Sequence, residues 1–236
     1  MKAIAMIPAY NEADNIEKLL SELMKIPALH AVVVDDNSPD GTAKIVKMLM
    51  KKNKRIHLLL RTKDRGRGSA GIEGFKYCIR KKAGYIVEMD ADFSHHPKYV
   101  PEIIEALNKC DVVLGSRQVK GGKQVGRPLR RRLLTYFANF YIRTVLGLKV
   151  RDCNSGFRGF RRQALEKIIN KPLFSKGPDV VQEILYRSHL LGMKICEVPI
   201  TFYERVEGAS KLGIKHLWRG YTVVLKLRWQ HIFGKI

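Results

Sequence analysis

The chain has 236 residues, 45% hydrophobic and 28% charged, with 44 Lys and Arg against 22 Asp and Glu for a net charge of +22. This is the composition of a folded globular protein with one sizeable core or two small ones, and it excludes a disordered chain. The cation excess attracts anions: nucleic acid, an acidic membrane face or phosphorylated substrates, with a solvated Lys-rich surface as the plainer account of scattered lysines.

In chain order, "KAIAMIPA" reads as a buried strand and "NEADNIEKLLSELMKI" as a helix capped by Asn11 or Asp14, with Ile16, Leu19, Leu20, Leu23 and Met24 at helical spacing. "HAVVVDD" is a second strand, and "SPDGTAKIVKMLMKK" a helix after a Pro-Asp-Gly turn. "RIHLLLRT" is a third strand, followed by the glycine-rich helix start "GSAGIEGFKYCIRKKA". "YIVEMDAD" is a fourth strand, "PKYVPEIIEALNK" a helix and "CDVVLGSR" a fifth strand. Short apolar strands alternating with amphipathic helices predict a parallel sheet covered on both faces, with the ligand beyond the carboxyl ends of the strands. The polar clusters "PAYNE", "DDNSPDG", "DADFSHH" and "GSR" fall at those ends.

Beyond Arg117, "GGKQVGRPLRRR" reads as a mobile basic loop and "RRLLTYFANFYIRTVLGL" as a helix with a broad apolar face. A turn, strand and helix in "DCNSGFRGFRRQALEKII", a helix in "GPDVVQEILYRSHLLG" and a strand running into a polar loop in "KICEVPITFYERVEGASKL" follow. In the tail, Leu217, Trp218, Tyr221, Val224, Leu225 and Ile232 share one side of a helix, opposite Lys215, Arg219 and Lys226. Such a helix either lies on an anionic membrane or packs on the core. Ten Lys and Arg with no acid between Val112 and Arg151, and six with no acid between Gly208 and Ile236, point to a basic face. No run reaches the ~18 apolar residues of a membrane span, and the short apolar start Ala3–Ala9 is not expected to be a signal peptide. Cys78, Cys110, Cys153 and Cys196 form no CxxC pair and are expected to be reduced structural thiols in a cytosolic protein.

Asp90 and Asp92 end the fourth strand. Mg²⁺ or Mn²⁺ takes one or two carboxylates together with substrate phosphates, which suits this pair if the ligand is a nucleoside diphosphate; alternatively Asp92 caps the next helix. The adjacent His95 and His96 point apart and read as turn residues. One of Asp35 and Asp36 can accept hydrogen bonds from a ribose or nucleobase, or cap the following helix. The run "GRGSAG" does not follow the first strand and lacks the Lys-Ser/Thr ending, so neither a dinucleotide fingerprint nor a phosphate-loop NTPase is indicated. A nucleic-acid-binding module is disfavoured by carboxylates at the strand ends and by the lack of any RRM, KH or zinc-finger signature.

The segments "IPAYNE", "VVVDDNSPDGT", "RGRGSAGIEGF", "MDADFSHHP", "GSR", "NSGFRGF" and "EVPITFYERVEGASKL" together resemble the inverting GT-A glycosyltransferases of family 2, and within them the dolichol-phosphate mannose synthases, from residue 2 to about residue 213. The resemblance implies an α/β GT-A fold, Rossmann-like, with a mostly parallel sheet flanked by helices: a catalytic domain over residues 1–213 and a basic amphipathic C-terminal helix over 214–236. It implies mannose transfer from GDP-mannose to dolichyl or another polyprenyl phosphate, with Mg²⁺ or Mn²⁺ as cofactor; a glucosyl- or N-acetylglucosaminyl-transferase using a UDP-sugar is the alternative. By this resemblance Pro8, Tyr10, Glu12, Val34 and Asp36 serve the nucleotide. Asp90, Ala91 and Asp92 serve metal and diphosphate, with Ser94 a third metal residue where some members carry Gln. Arg117, Arg205 and Lys211 serve the phosphates, joined by one of Arg130–Arg132, and Asp92, Arg117 and Arg205 carry catalysis. Asn154 departs from the commoner Asp-x-Thr-Ser-Gly-Phe-Arg. The acceptor places the enzyme peripherally at the cytoplasmic face of a membrane, docked through the helix around Leu133–Leu146 and the tail, with a small membrane-anchoring subunit as an expected partner and no nucleic acid.

Overall fold

The computed structural model describes residues 2–175, 177–204 and 214–234, and of residues 214–219 the backbone alone. Among the described residues, the central sheet contains β1 (Ala3–Ala9), β2 (Leu29–Asp35), β3 (Ile56–Leu60), β4 (Tyr85–Glu88), β5 (Val112–Ser116), β7 (Arg158–Arg161) and β8 (Ile195–Pro199), in the order β3-β2-β1-β4-β7-β5-β8. Every pairing is parallel except those of β7, which runs antiparallel between β4 and β5. The expected mostly parallel α/β sheet is therefore present. A separate parallel ribbon joins β6 (Lys123–Val125) to β9 (Thr201–Tyr203).

The helices are α1 (Ala13–Met24), α2 (Thr42–Lys52), α3 (Arg67–Arg80), α4 (Val100–Ala106), α5 (Leu129–Leu146), α6 (Arg162–Ile168), α7 (Val180–Leu190) and α8 (Ile214–Ile232). Side chains alternate along each strand, so each sheet face buries its own core. Ile4, Met6, Val32 and Val34 meet Phe75 of α3, Ile142 of α5, Ile184 of α7 and Leu227 of α8. Ala5, Ile7, Ala31 and Val33 meet Leu19 and Leu20 of α1, Val46 of α2 and Ile103 of α4. Close approach of α3 to β1 requires Gly74, where a Cβ would stand 2.6 Å from Met6 Sδ.

Four features depart from the sequence expectations. Neither Asn11 nor Asp14 caps α1: the Ala13 N–H donates to Asp40 Oδ2 at 2.9 Å and the Glu12 N–H to Thr42 Oγ1 at 3.0 Å, so the loop after β2 caps the helix. The segment read as a mobile basic loop holds β6 and the start of α5, because its pairing partner β9 lies far along the chain. Cys110 and Cys196 are joined in a disulfide across an 86-residue separation, with Cα atoms 6.1 Å apart, since β8 lies beside β5. Cys78 and Cys153 are free and buried, and burial pushes both thiols up to about 12. Finally, α8 has two apolar sides rather than one. Val223, Val224 and Leu227 enter the core, whereas Leu225, Trp229, Ile232 and Phe233 face outward; the side chains of Leu217 and Trp218 lie outside the described residues.

Candidate active site

Because β1 lies between β2 and β4, the carboxyl ends of three adjacent strands meet on one rim. Pro8 pairs in register with Val34, and both are buried beneath that rim. Tyr10 is exposed, and the Glu12 carboxylate accepts from Asn15 Nδ2 at 3.1 Å. Asp35 turns back to accept from the N–H and hydroxyl of Ser38. Asp36 is buried, ion-paired with Arg61, and accepts the Gly66 N–H at 2.7 Å. It thus anchors the loop between β3 and α3 at the place where a ribose-binding acid was expected.

Beyond β4, Asp90, Ala91 and Asp92 turn over the rim. Ala91 and Ser94 are buried, and the Ser94 N–H donates to Asp92 Oδ1 at 3.0 Å. Phe93 adopts φ +60°, a left-handed conformation that costs a bulky residue energy and marks a turn held by its surroundings. The Asp90 N–H donates to His95 Nδ1 at 3.1 Å, while the His95 ring is buried and stacked on Phe157 with centroids 5.1 Å apart. Nδ1 thus accepts, and burial lowers the His95 pKa against the pull of Asp90 and Asp92. The reading of both histidines as turn residues fits His96, whose Nδ1 accepts the Lys98 N–H, and misses His95. Nothing in the local pattern distinguishes the two; Phe157, brought in next to β7, and Phe202 of β9 select one.

Three further charged groups, Glu88, Arg67 and Arg158, escape sequence reasoning. Glu88 is fully buried and accepts from Arg158 and from Arg67 Nη1, the latter at 2.8 Å. Burial alone would raise the Glu88 pKa; Arg158 and Arg67 override it and hold the carboxyl below its ordinary value. Arg67 Nη2 reaches Asp90 Oδ1 at 3.1 Å.

Arg117, at the end of β5, lies on the same rim with its guanidinium 5.1 Å from the Phe202 ring centroid. Its Nε and Nη2 are held by Asp152. Burial would lower its pKa and Asp152 more than reverses this, leaving it raised. Of the Arg130–Arg132 run, Arg131 pairs with Glu204, whereas Arg130 and Arg132 are exposed. Arg127 lies 3.6 Å from the same Glu204. Burial and the neighbouring Arg117 lower the Arg127 pKa. Arg205 and Lys211 lie outside the described residues. Asn154 links two helices: its Nδ2 donates to Asn139 of α5 and its Oδ1 accepts from Gln182 of α7, each at 2.9 Å.

Among the described residues no three His, Cys, Asp or Glu side chains form a metal cage. Two carboxylates on one turn instead fit a divalent ion whose coordination is completed by substrate oxygens.

The model of the family described as glycosyl transferase family 2 matches residues 4–169. An undecaprenyl-phosphate mannosyltransferase from Micrococcus luteus is 38% identical over 97% of this chain and 94% of its own length. A polyprenol monophosphomannose synthase from Mycolicibacterium smegmatis is 37% identical over 90% of this chain and 81% of its own. Among solved structures, glucosyl-3-phosphoglycerate synthase from Mycobacterium tuberculosis, in complex with Mn²⁺, UDP and phosphoglyceric acid, matches with TM-score 0.70 at 18% identity, covering 96% of this chain and 78% of that one. Mannosyltransferase PcManGT from Pyrobaculum calidifontis, in complex with GDP-Man and Mn²⁺, matches with TM-score 0.61 at 19% identity, covering 99% and 64% respectively.

Proposed function

The chain belongs to glycosyl transferase family 2, and from that membership we propose that it moves mannose from GDP-mannose to dolichyl or another polyprenyl phosphate, inverting the anomeric carbon. The observation that carries this reading is the match, over at least 90% of this chain, to two relatives named as an undecaprenyl-phosphate mannosyltransferase and a polyprenol monophosphomannose synthase. The solved mannosyltransferase holding GDP-Man and Mn²⁺ supports the donor and the metal by analogy of fold.

Asp90 and Asp92, with Ser94 supporting Asp92, would hold a Mg²⁺ or Mn²⁺ ion, which neutralises the departing diphosphate when bound. The nucleotide then lies across the ends of β1 and β2, over Pro8, Tyr10, Glu12, Val34 and Asp36, with Ala91 beneath the diphosphate. A phosphate monoester titrates near pH ~6, so the acceptor arrives as a nucleophile and no strong general base is needed. Its oxygen attacks the anomeric carbon as the bond to the diphosphate breaks. Cations must hold two phosphate groups close together: Arg117, oriented by Asp152, with Arg205, Lys211 and one of Arg130–Arg132.

The lipid carrier lies in a membrane surface, and two helices offer exposed apolar side chains suited to it. Leu133, Tyr136, Phe137 and Phe140 of α5 are exposed, as are Leu225, Trp229, Ile232 and Phe233 of α8. The two helices are joined by the Tyr141 hydroxyl donating to the Tyr221 carbonyl at 3.2 Å. Lys226 and Arg228 flank a groove of about 470 Å³ on α8. An apolar face edged by cations suits an anionic bilayer surface, and no helix among the described residues is long and apolar enough to cross a membrane. We place the protein peripherally at the cytoplasmic face, with a small membrane-anchoring subunit as a further partner.

The test is donor binding and transfer: GDP-mannose, UDP-glucose and UDP-N-acetylglucosamine titrated with and without Mn²⁺, then incubated with polyprenyl phosphate. GDP-mannose binding that strengthens with metal, disappears in Asp92→Ala and yields a mannosyl lipid upholds the reading. Preference for a UDP-sugar keeps the fold and overturns the substrate.

A further inference from the structure

We propose that Arg67, in the GRGSAG run, is a positioning residue that aims the Asp90 carboxylate for the metal. The inference rests on the reading above that Asp90 belongs to the metal and diphosphate site.

The geometry is a fork spanning two carboxylates. Glu88 is the last residue of β4 and Asp90 lies two residues beyond it, where the chain leaves the strand. Arg67 Nη1 is 2.8 Å from Glu88 Oε1, and Nη2 is 3.1 Å from Asp90 Oδ1. Glu88 already has a counter-charge in Arg158, whose Nε lies 2.9 Å from Glu88 Oε2 and whose side chain is fully buried. Glu88 therefore does not need Arg67 for neutrality; it serves as a fixed post that orients the guanidinium plane. Arg67 in turn anchors Asp90 Oδ1, which stops rotation of the carboxylate about its last bond and sets the direction of Oδ2.

Two glycines border the fork at ordinary contact distance, and a third sets the start of α3. A Cβ on Gly71, one turn along α3, would lie 3.5 Å from Arg67 Nη1 and 3.4 Å from Glu88 Oε1. A Cβ on Gly156 would lie 3.6 Å from Asp90 Oδ2 and 3.8 Å from Arg67 Nη2. Gly66, which precedes Arg67, has φ +136°, outside the range of ordinary side chains, and its N–H is held by Asp36 at 2.7 Å. The start of α3 is thereby pinned between the ends of β2 and β4, with Arg67 delivered to Asp90 at a set height.

Positioning and simple charge balance make opposite forecasts. A guanidinium that only neutralised Asp90 would compete with a metal ion, and removing it would tighten metal binding. A guanidinium that orients the ligand raises metal affinity, and losing such a hydrogen-bonding partner costs about 10–100-fold. Lys keeps the charge but cannot span two carboxylates with a planar fork.

The experiment is Mn²⁺ titration followed by electron paramagnetic resonance of the free ion, in the presence of GDP or UDP, whichever wild-type protein binds. It compares wild type, Arg67→Met, Arg67→Lys and Asp92→Ala, with thermal melts alongside; Arg67→Lys, which retains the charge beside Glu88, serves if Arg67→Met does not fold. We expect both Arg67 variants to weaken Mn²⁺ binding by at least about ten-fold, with kcat at saturating Mn²⁺ within a few-fold of wild type. Unchanged or tighter Mn²⁺ binding in a folded Arg67 variant, with Asp92→Ala still losing the ion, overturns the role of Arg67 alone. Mn²⁺ affinity that survives in Asp92→Ala overturns the site reading, and this inference with it.

Discussion

Asp152 grips Arg117 through three contacts: Arg117 Nη2 lies 2.7 Å from Oδ1, Nε 2.8 Å from Oδ2, and the Arg117 backbone N–H donates to Oδ2 at 2.9 Å. Asp152 is itself held by its own N–H donating to Glu197 Oε1 on β8 at 2.9 Å. The cation at the end of β5 is thus oriented by a turn and an edge strand far from it in sequence. Replacing Asp152 with Ala leaves a buried guanidinium unpaired, and breaking such a pair costs about 3–5 kcal/mol. Urea denaturation of Asp152→Ala should show a loss of that size together with loss of transfer; a loss below about 1 kcal/mol would discard the account.

Asn154 spans α5 and α7 because an amide both donates and accepts. Asn154→Ala leaves Asn139 and Gln182 facing a gap, at a cost of about 1–3 kcal/mol for each buried group stripped of its partner. Asn154→Thr, the commoner residue in the resembling motif, is too short to bridge both and should lose roughly half as much as Ala. Equal stability of all three proteins in guanidinium melts would show that the relay contributes nothing.

Thiol counting tests the disulfide. Cys78 and Cys153 are buried with thiol pKa values pushed up to about 12, so native oxidised protein should react with no thiol reagent. Unfolding without reductant should expose two thiols, and unfolding with reductant four. Closing an 86-residue separation constrains the unfolded chain by about 4–5 kcal/mol in the loop-entropy model. Reduction should accordingly lower Tm by several degrees or more, and four reactive thiols without reductant would refute the bond.

His30 and His57 stack side by side on β2 and β3, with Nδ1 and Nε2 3.2 Å apart. Burial lowers both pKa values, aided by Lys2 and Arg55 at His30 and by His30 and Lys2 at His57. The folded state therefore binds protons less readily than the unfolded state, whose histidines titrate near ~6.5. Stability from the pair is fully present above that pH and declines as pH falls below it. Melting temperature measured from pH 8 to pH 5 should fall more steeply in wild type than in His57→Gln, and parallel curves would count against the pair.

The exposed apolar residues of α5 and α8 make a vesicle assay decisive. Binding to vesicles containing anionic lipid should fall as salt is raised, because cations at the rim are screened within about 8 Å at physiological ionic strength. Phe137→Ser with Phe140→Ser should abolish sedimentation with vesicles and leave the melting temperature nearly unchanged, since both side chains are already exposed. Binding that persists in the double variant would move the contact elsewhere.

Much of this protein was legible in its sequence. Alternating apolar runs and helical spacing located the strands from Ala3 to Ser116 and the helices between them, and polar clusters marked the strand ends where Asp36, Asp90, Asp92 and Arg117 stand. These signals are local: a strand's alternation, a helix's spacing or a turn's Asp and Gly act within about ten residues and need no knowledge of what lies beside them. Strand order and register are different. They placed β7 between β4 and β5, bringing Arg158 to Glu88 and Gly156 to Asp90, and set β8 beside β5 so that Cys110 met Cys196. They also separated His95 from His96, brought Asn139 and Gln182 to Asn154, and divided the apolar residues of α8 between core and surface. The partners in these contacts are distant in sequence, and which of them meet is decided by burying the whole sheet on both faces, a sum over the entire chain that no short segment encodes.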